Sequence, residues 1–86
     1  YAYVEVLMLI GEYEDAVFVL NEGLKKHHRA ELYFQLSNSY HHLKNDKLSL
    51  EMLEKAMELD PEILEDMQQK YPFIKDEAKK VKAKKK

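Results

Sequence analysis

The chain has 86 residues and a mass of 10.2 kDa, room for one small domain or a piece of a larger one but not for two separate cores. Hydrophobic residues at 45% and charged residues at 35% exclude a disordered chain, and two Gly with two Pro are too few for the turns of a sandwich or barrel. There is no cysteine, which excludes disulfides, thiolate zinc sites and cysteine nucleophiles, and the net charge of −2 divides into −8 on residues 1–69 and +6 on residues 70–86.

The first segment, Tyr1 to Ile10, is apolar almost all round, with only Glu5 interrupting it, and Gly11 breaks the pattern. Its longest apolar run, Val6 to Ile10, is far too short to span a bilayer, and nothing resembles a signal peptide. A start at Tyr1 without methionine leads us to expect a fragment or a processed chain, located in the cytoplasm.

From Tyr13 the residues Ala16, Val17, Leu20 and Leu24 recur at helical spacing, with Glu12, Glu14 and Asp15 opposing the dipole at the start and Lys25 and Lys26 closing the end. A polar link, His27 to Arg29, follows. The third segment runs from Ala30 to about Leu43. Leu32, Tyr33, Leu36, Tyr40 and Leu43 share one face, while Glu31, Phe34, Asn38 and His41 lie roughly opposite. Lys44-Asn45-Asp46 is a turn.

The fourth helix, Lys47 to Leu59, carries Leu50, Leu53, Ala56 and Met57 on one stripe, and Asp60-Pro61 stops it and starts the next. That fifth helix, Pro61 to about Lys70, has Ile63, Leu64 and Met67. Tyr71-Pro72 breaks it. Ile74, Ala78 and Val81 support a last short helix, expected to fray into Lys82 to Lys86.

Sliding the chain against itself by 33 residues brings its halves into register without a gap. Ala16, Leu20 and Gly23 fall on Ser49, Leu53 and Ala56; Tyr3, Leu7 and Ile10 fall on Leu36, Tyr40 and Leu43. Small residues recur where helices must approach closely, which predicts tight crossing at Ala56. A helix-pair repeat of this length means a solenoid in which each unit buries its face against the next.

The second unit reads Tyr33-x2-Leu36-Ser37-x2-Tyr40, then Ser49-x3-Leu53, Ala56 and Asp60-Pro61, and ends in EKAMELDP. The first reads Tyr3-Val4-x2-Leu7, then Gly11 to Ala16, Leu20 and Gly23. This pattern resembles the tetratricopeptide repeat (TPR) family, whose units follow W-x2-L-G-x2-Y, A-x3-F and an exit Pro. The resemblance implies an all-α, right-handed solenoid of antiparallel helix pairs. We expect a repeat domain over residues 1–70, with units at about 1–29 and 30–61 and a capping helix at 61–70, then a short helix and lysine-rich tail over 71–86.

In this family the first helix of each pair lines a concave groove that binds peptides. The resemblance therefore implies a partner-binding groove at Tyr1, Glu5, Met8, Glu31, Phe34, Asn38 and His41. Phe34 either anchors a partner there or packs on the neighbouring unit's first helix. The family's clamp for acidic C-terminal peptides uses Lys and Asn where Tyr1 and Glu5 stand, which argues against an acidic-tail ligand, and the aromatic-and-polar floor with acidic edges that these groove residues would form favours a basic or apolar peptide.

Catalysis is not expected. Adjacent histidines on a helix, such as His41-His42, point about 100° apart and do not chelate together, and His27-His28 are loop residues. The abundant carboxylates, such as Glu51 and Glu54, lie on solvated faces, and the serines have no nucleophile setting. No metal, no cofactor and no membrane insertion are expected. An alternative function rests on the lysine-rich end, which suits contact with nucleic acid or an anionic surface, although the acidic body would repel phosphate. Finally, if Tyr3, Leu7 and Ile10 cover the second helix, then Val4, Val6, Met8 and Leu9 stay partly uncovered. A preceding segment or a second copy in a homodimer is expected to cover them.

Overall fold

A computed structural model describes residues 2–84 and the side chains of residues 3–83. The order is α1 (Ala2–Leu9), α2 (Tyr13–Lys26), α3 (Ala30–His42), α4 (Asp46–Leu59), a 3₁₀ turn (Pro61–Ile63), α5 (Leu64–Lys70) and α6 (Phe73–Lys84), with no strand among the described residues. Helices α1 to α4 pack in sequence, α1 on α2, α2 on α3 and α3 on α4, and the fold is all-α as the repeat pattern predicts.

The helix ends follow from local chemistry. Asn45 caps α4, its side chain accepting from the Leu48 N–H at 3.3 Å. Asp60 accepts from the Glu62 N–H at 3.1 Å, and Pro61 begins the 3₁₀ turn, so the fifth segment is divided rather than one helix. Helix α6 continues to Lys84, beyond the expected fraying point. Lys85 and Lys86 lie outside the described residues.

Small residues set the α3–α4 contact. The Ser37 hydroxyl donates to the Ser49 carbonyl at 2.8 Å, and the Ser49 hydroxyl donates back to the Ser37 carbonyl at 3.0 Å. Both serines are buried, so each hydroxyl is satisfied by the other helix's backbone and the two axes are drawn together. Leu53 and Ala56 on α4 are fully buried, as are Ala16 and Leu20 on α2. In the α2–α3 link, His28 hydrogen-bonds the Tyr33 hydroxyl at 2.7 Å.

Two expectations about packing are corrected. Along α1 the inward face is Val4, Leu7 and Met8, whereas Tyr3, Val6, Leu9 and Ile10 are exposed. The all-round apolar sequence of α1 does not itself choose a face; contact with α2 on one side does. The second correction concerns the end of the array. Helix α5 has no buried residue, while α6 packs on α4 and brings Ile74, Ala78 and Val81 into the core, so sealing falls largely to α6.

Candidate functional site

Residues of α1, α3 and the turn between α5 and α6 come together, with Lys70 and Tyr71 of that turn reaching Glu5 and Met8 on α1. Together they line an open cavity of about 520 Å³. Helix α1 supplies Glu5, Met8 and Leu9; α2 supplies Tyr13; α3 supplies Asn38, His41 and His42; the turn supplies Lys70 to Phe73. The turn is placed there by sequence. Tyr71 ends α5, its N–H bonding the Met67 carbonyl at 2.7 Å, and Pro72 cannot continue that helix.

The expected groove residues separate into three groups. Glu5, Met8, Asn38 and His41 do line the cavity. Glu31, half-buried at the start of α3, lines a different hollow beside Asp60 and Ile63. Phe34 is fully buried, which removes it as an exposed anchor: α3 is held by α2 on one side and α4 on the other, and residues 32–39 are buried without interruption. Tyr1 lies outside the described residues.

Aromatic stacking gives the cavity its walls. The His41 ring lies on Phe73 with centroids 4.2 Å apart and planes within 6°, and His42 lies on Tyr13 at 4.4 Å and 7°. The adjacent histidines thus diverge, one toward the C-terminal turn and the other toward α2. Burial and the neighbouring His41 hold the His42 pKa below its ordinary value. The Asn38 amide donates to the Met8 sulfur at 3.6 Å, a weak bond joining α3 to α1.

One edge of the site is charged. Lys70 Nζ meets Glu5 Oε1 at 2.6 Å, and the hydrogen bond holds the carboxylate's pKa below its ordinary value and raises that of the ammonium. Beside them, burial pushes the Tyr71 pKa up, partly opposed by Lys70. The Tyr71 hydroxyl faces the Met8 sulfur at 4.0 Å.

Tyr13, His42, Lys70, Tyr71 and Phe73 were outside the expected set. The break at Tyr71-Pro72 carries the only sequence signal for three of them, since a turn there returns the chain toward the first helices. Among the described residues no cluster of His, Cys, Asp or Glu is arranged to hold a metal ion, and no helix is long and apolar enough to cross a membrane.

No curated protein and no solved structure matches the chain. A family model does: residues 30–63, which are α3, α4 and the 3₁₀ turn, match the tetratricopeptide repeat. The α3–α4 pair is therefore similar to a tetratricopeptide repeat, a motif that serves generally in protein-interaction modules, and α1 and α2 are laid out in the same way 33 residues earlier.

Proposed function

We propose that the chain is a non-catalytic interaction module that takes a segment of a partner protein into the cavity between α1, α3 and the α5–α6 turn. The observation that carries this reading is the cavity itself: about 520 Å³, walled by Met8, Leu9 and stacked aromatic rings, with Glu5 as an acidic edge. Aromatic and aliphatic walls with a few polar groups are what a peptide side chain needs for both affinity and orientation. An apolar or basic segment fits this chemistry; an acidic one would meet Glu5 and an acidic body.

The test is peptide selection by phage display on the intact chain, followed by titration of a selected peptide. Leu9 is 85% exposed at the cavity wall, so Leu9→Asp alters the site with little effect on folding. Leu59, 44% exposed and away from the cavity, gives the matched control Leu59→Asp. Binding should weaken about tenfold or more for Leu9→Asp, the size expected when an anchor contact is lost, and stay unchanged for Leu59→Asp. Selected peptides indifferent to Leu9→Asp would refute the reading.

A second reading rests on α6. Lys75, Lys79 and Lys82 recur at helical spacing and are all exposed, which suits contact with an anionic surface. Such binding would weaken steeply with salt, and cavity binding much less.

A further inference from the structure

The cavity is closed on one side by the chain's own residues, and these residues sit in it in the manner of a ligand. Lys70 places its ammonium on Glu5 at 2.6 Å, and Tyr71, the next residue, lays its side chain against Met8. We propose that Lys70 and Tyr71 are a built-in occupant of the groove, and that the partner carries the same chemistry, a lysine or arginine immediately followed by an aromatic residue, which enters by displacing them. This inference rests on the interaction reading above and specifies the partner of that same site.

Three observations bear on displacement. The Lys70–Glu5 pair is 42% and 47% exposed at its two side chains, and exposed pairs hold weakly because water competes for both ions. Helix α5, which carries Lys70, has no buried residue, so it is held only by half-buried side chains such as Leu64 and Met67. Helix α6, by contrast, is anchored through Ile74, Ala78 and Val81. The Tyr71 carbonyl accepts from the Ile74 N–H at 3.0 Å, so displacement is a swing of the Lys70 and Tyr71 side chains out of the groove, with the start of α6 in place and Phe73 still stacked on His41 as a wall.

The fourth observation lies beneath Tyr71. Gln35 is 1% exposed, and neither its Nε2 nor its Oε1 has a hydrogen-bond partner. It is near enough to the Tyr71 hydroxyl to favour that group's ionised form, but the approach satisfies neither amide atom. A buried amide lacking both bonds is costly, so the built-in occupant fits the site incompletely. An entering segment brings a backbone N–H and C=O, the donor and acceptor that a Gln amide pairs with. The net charge of −8 on residues 1–69 adds a general preference for a cationic segment.

The experiment uses the full chain and a dye-labelled peptide copying residues 66–72, with a second probe in which glutamate replaces the lysine. Binding is measured by fluorescence anisotropy to the natural chain, to Lys70→Glu, to Tyr71→Ala, and to each of these combined with Leu9→Asp, with folding checked by circular dichroism. Emptying the groove should tighten binding of the first probe tenfold or more in both Lys70→Glu and Tyr71→Ala. The glutamate probe should gain nothing, and Leu9→Asp should remove the gain. Equal affinity of the natural chain and both variants, or equal binding of the two probes, overturns the proposal. Loss of folding in both variants also overturns it, because the segment would then be part of the core. Groove-dependent peptides from the phage selection that lack a basic–aromatic pair would overturn this inference alone and leave the interaction reading standing.

Discussion

Gly11 and Lys44 stand 33 residues apart and close their helices with the same three backbone hydrogen bonds. After α1 these run from Ile10 to Val6, Gly11 to Met8 and Glu12 to Leu7; after α3 they run from Leu43 to Ser39, Lys44 to His41 and Asn45 to Tyr40. Both residues sit in the left-handed region, at φ 82° for Gly11 and 63° for Lys44. This is a Schellman closure, in which the residue after the cap must turn left-handed to bring its neighbour's N–H back to the helix. The repeat is thus conserved between the two units in backbone geometry even where the side chain differs.

The first prediction follows from that difference. Glycine adopts positive φ without steric cost, while a side chain there crowds the backbone by about 1 kcal/mol or more. Lys44→Gly should therefore stabilise the fold by about 0.5–1 kcal/mol. Gly11→Ala should destabilise it by a similar or larger amount, even though nothing lies within 4 Å of the added Cβ, because the penalty is in the backbone alone. Urea denaturation of both variants checks this. A loss of stability in Lys44→Gly would show that the lysine makes a compensating contact.

Phe34 supplies the second. As a fully buried ring in the core, Phe34→Ala should cost about 3–5 kcal/mol, comparable with about 2–5 kcal/mol for the fully buried Leu53→Ala. If Phe34 were instead a groove residue, its truncation would leave the melting temperature near that of the natural chain. Parallel thermal melts of the two variants decide the matter.

Why the sequence left Phe34 between groove and core, when it placed the α2 and α4 stripes in the core, comes down to the number of neighbours. A stripe reports one buried face, and that suffices for Ala16 and Leu20 on α2 or Leu53 and Ala56 on α4. Helix α3 is enclosed by α2 and α4 together, which only the assembled topology reveals. In α1 the apolar residues lie on every side, so spacing alone offers no choice between Val4 and Tyr3. The repeat does offer one: Val4 is the counterpart of Ser37, which faces α4 as Val4 faces inward, and this register identifies the buried side. The return of Lys70 to Glu5 spans 65 residues and leaves no local periodicity to read.

The third prediction concerns the α3–α4 crossing. Ala56 is fully buried, and the reciprocal Ser37–Ser49 bonds fix how close the two backbones lie. Ala56→Leu should cost about 1–3 kcal/mol, since added methylenes must displace packed neighbours. Ser37→Ala should cost about 1 kcal/mol through the lost bond to the Ser49 carbonyl. An unchanged midpoint for Ala56→Leu would mean that the crossing has room, and with it that the register of the repeat is wrong.

The last prediction is a pH dependence centred on His42. Its folded pKa lies below the ordinary value of 6.5, first because burial disfavours the charged ring and second because His41 is adjacent. The unfolded chain therefore binds the proton more readily than the fold does, so stability rises with pH wherever the two states differ in protonation. Stability should be undiminished by His42 above about pH 6.5, decline as pH falls below that value, and stop declining once the folded ring is itself protonated. Glu5 acts separately and lower: its carboxylate is held below the ordinary 4.5 by Lys70, so the stability it contributes is lost only as pH falls below that range. The groups facing His42 are the Tyr13 ring and His41, and neither brings a carboxylate that would favour the charged ring. His42→Phe keeps an aromatic ring on Tyr13 without the titration. Denaturation midpoints taken between pH 7.5 and about pH 5 should fall for the natural chain and fall less for His42→Phe, and identical slopes for the two would remove His42 as the source.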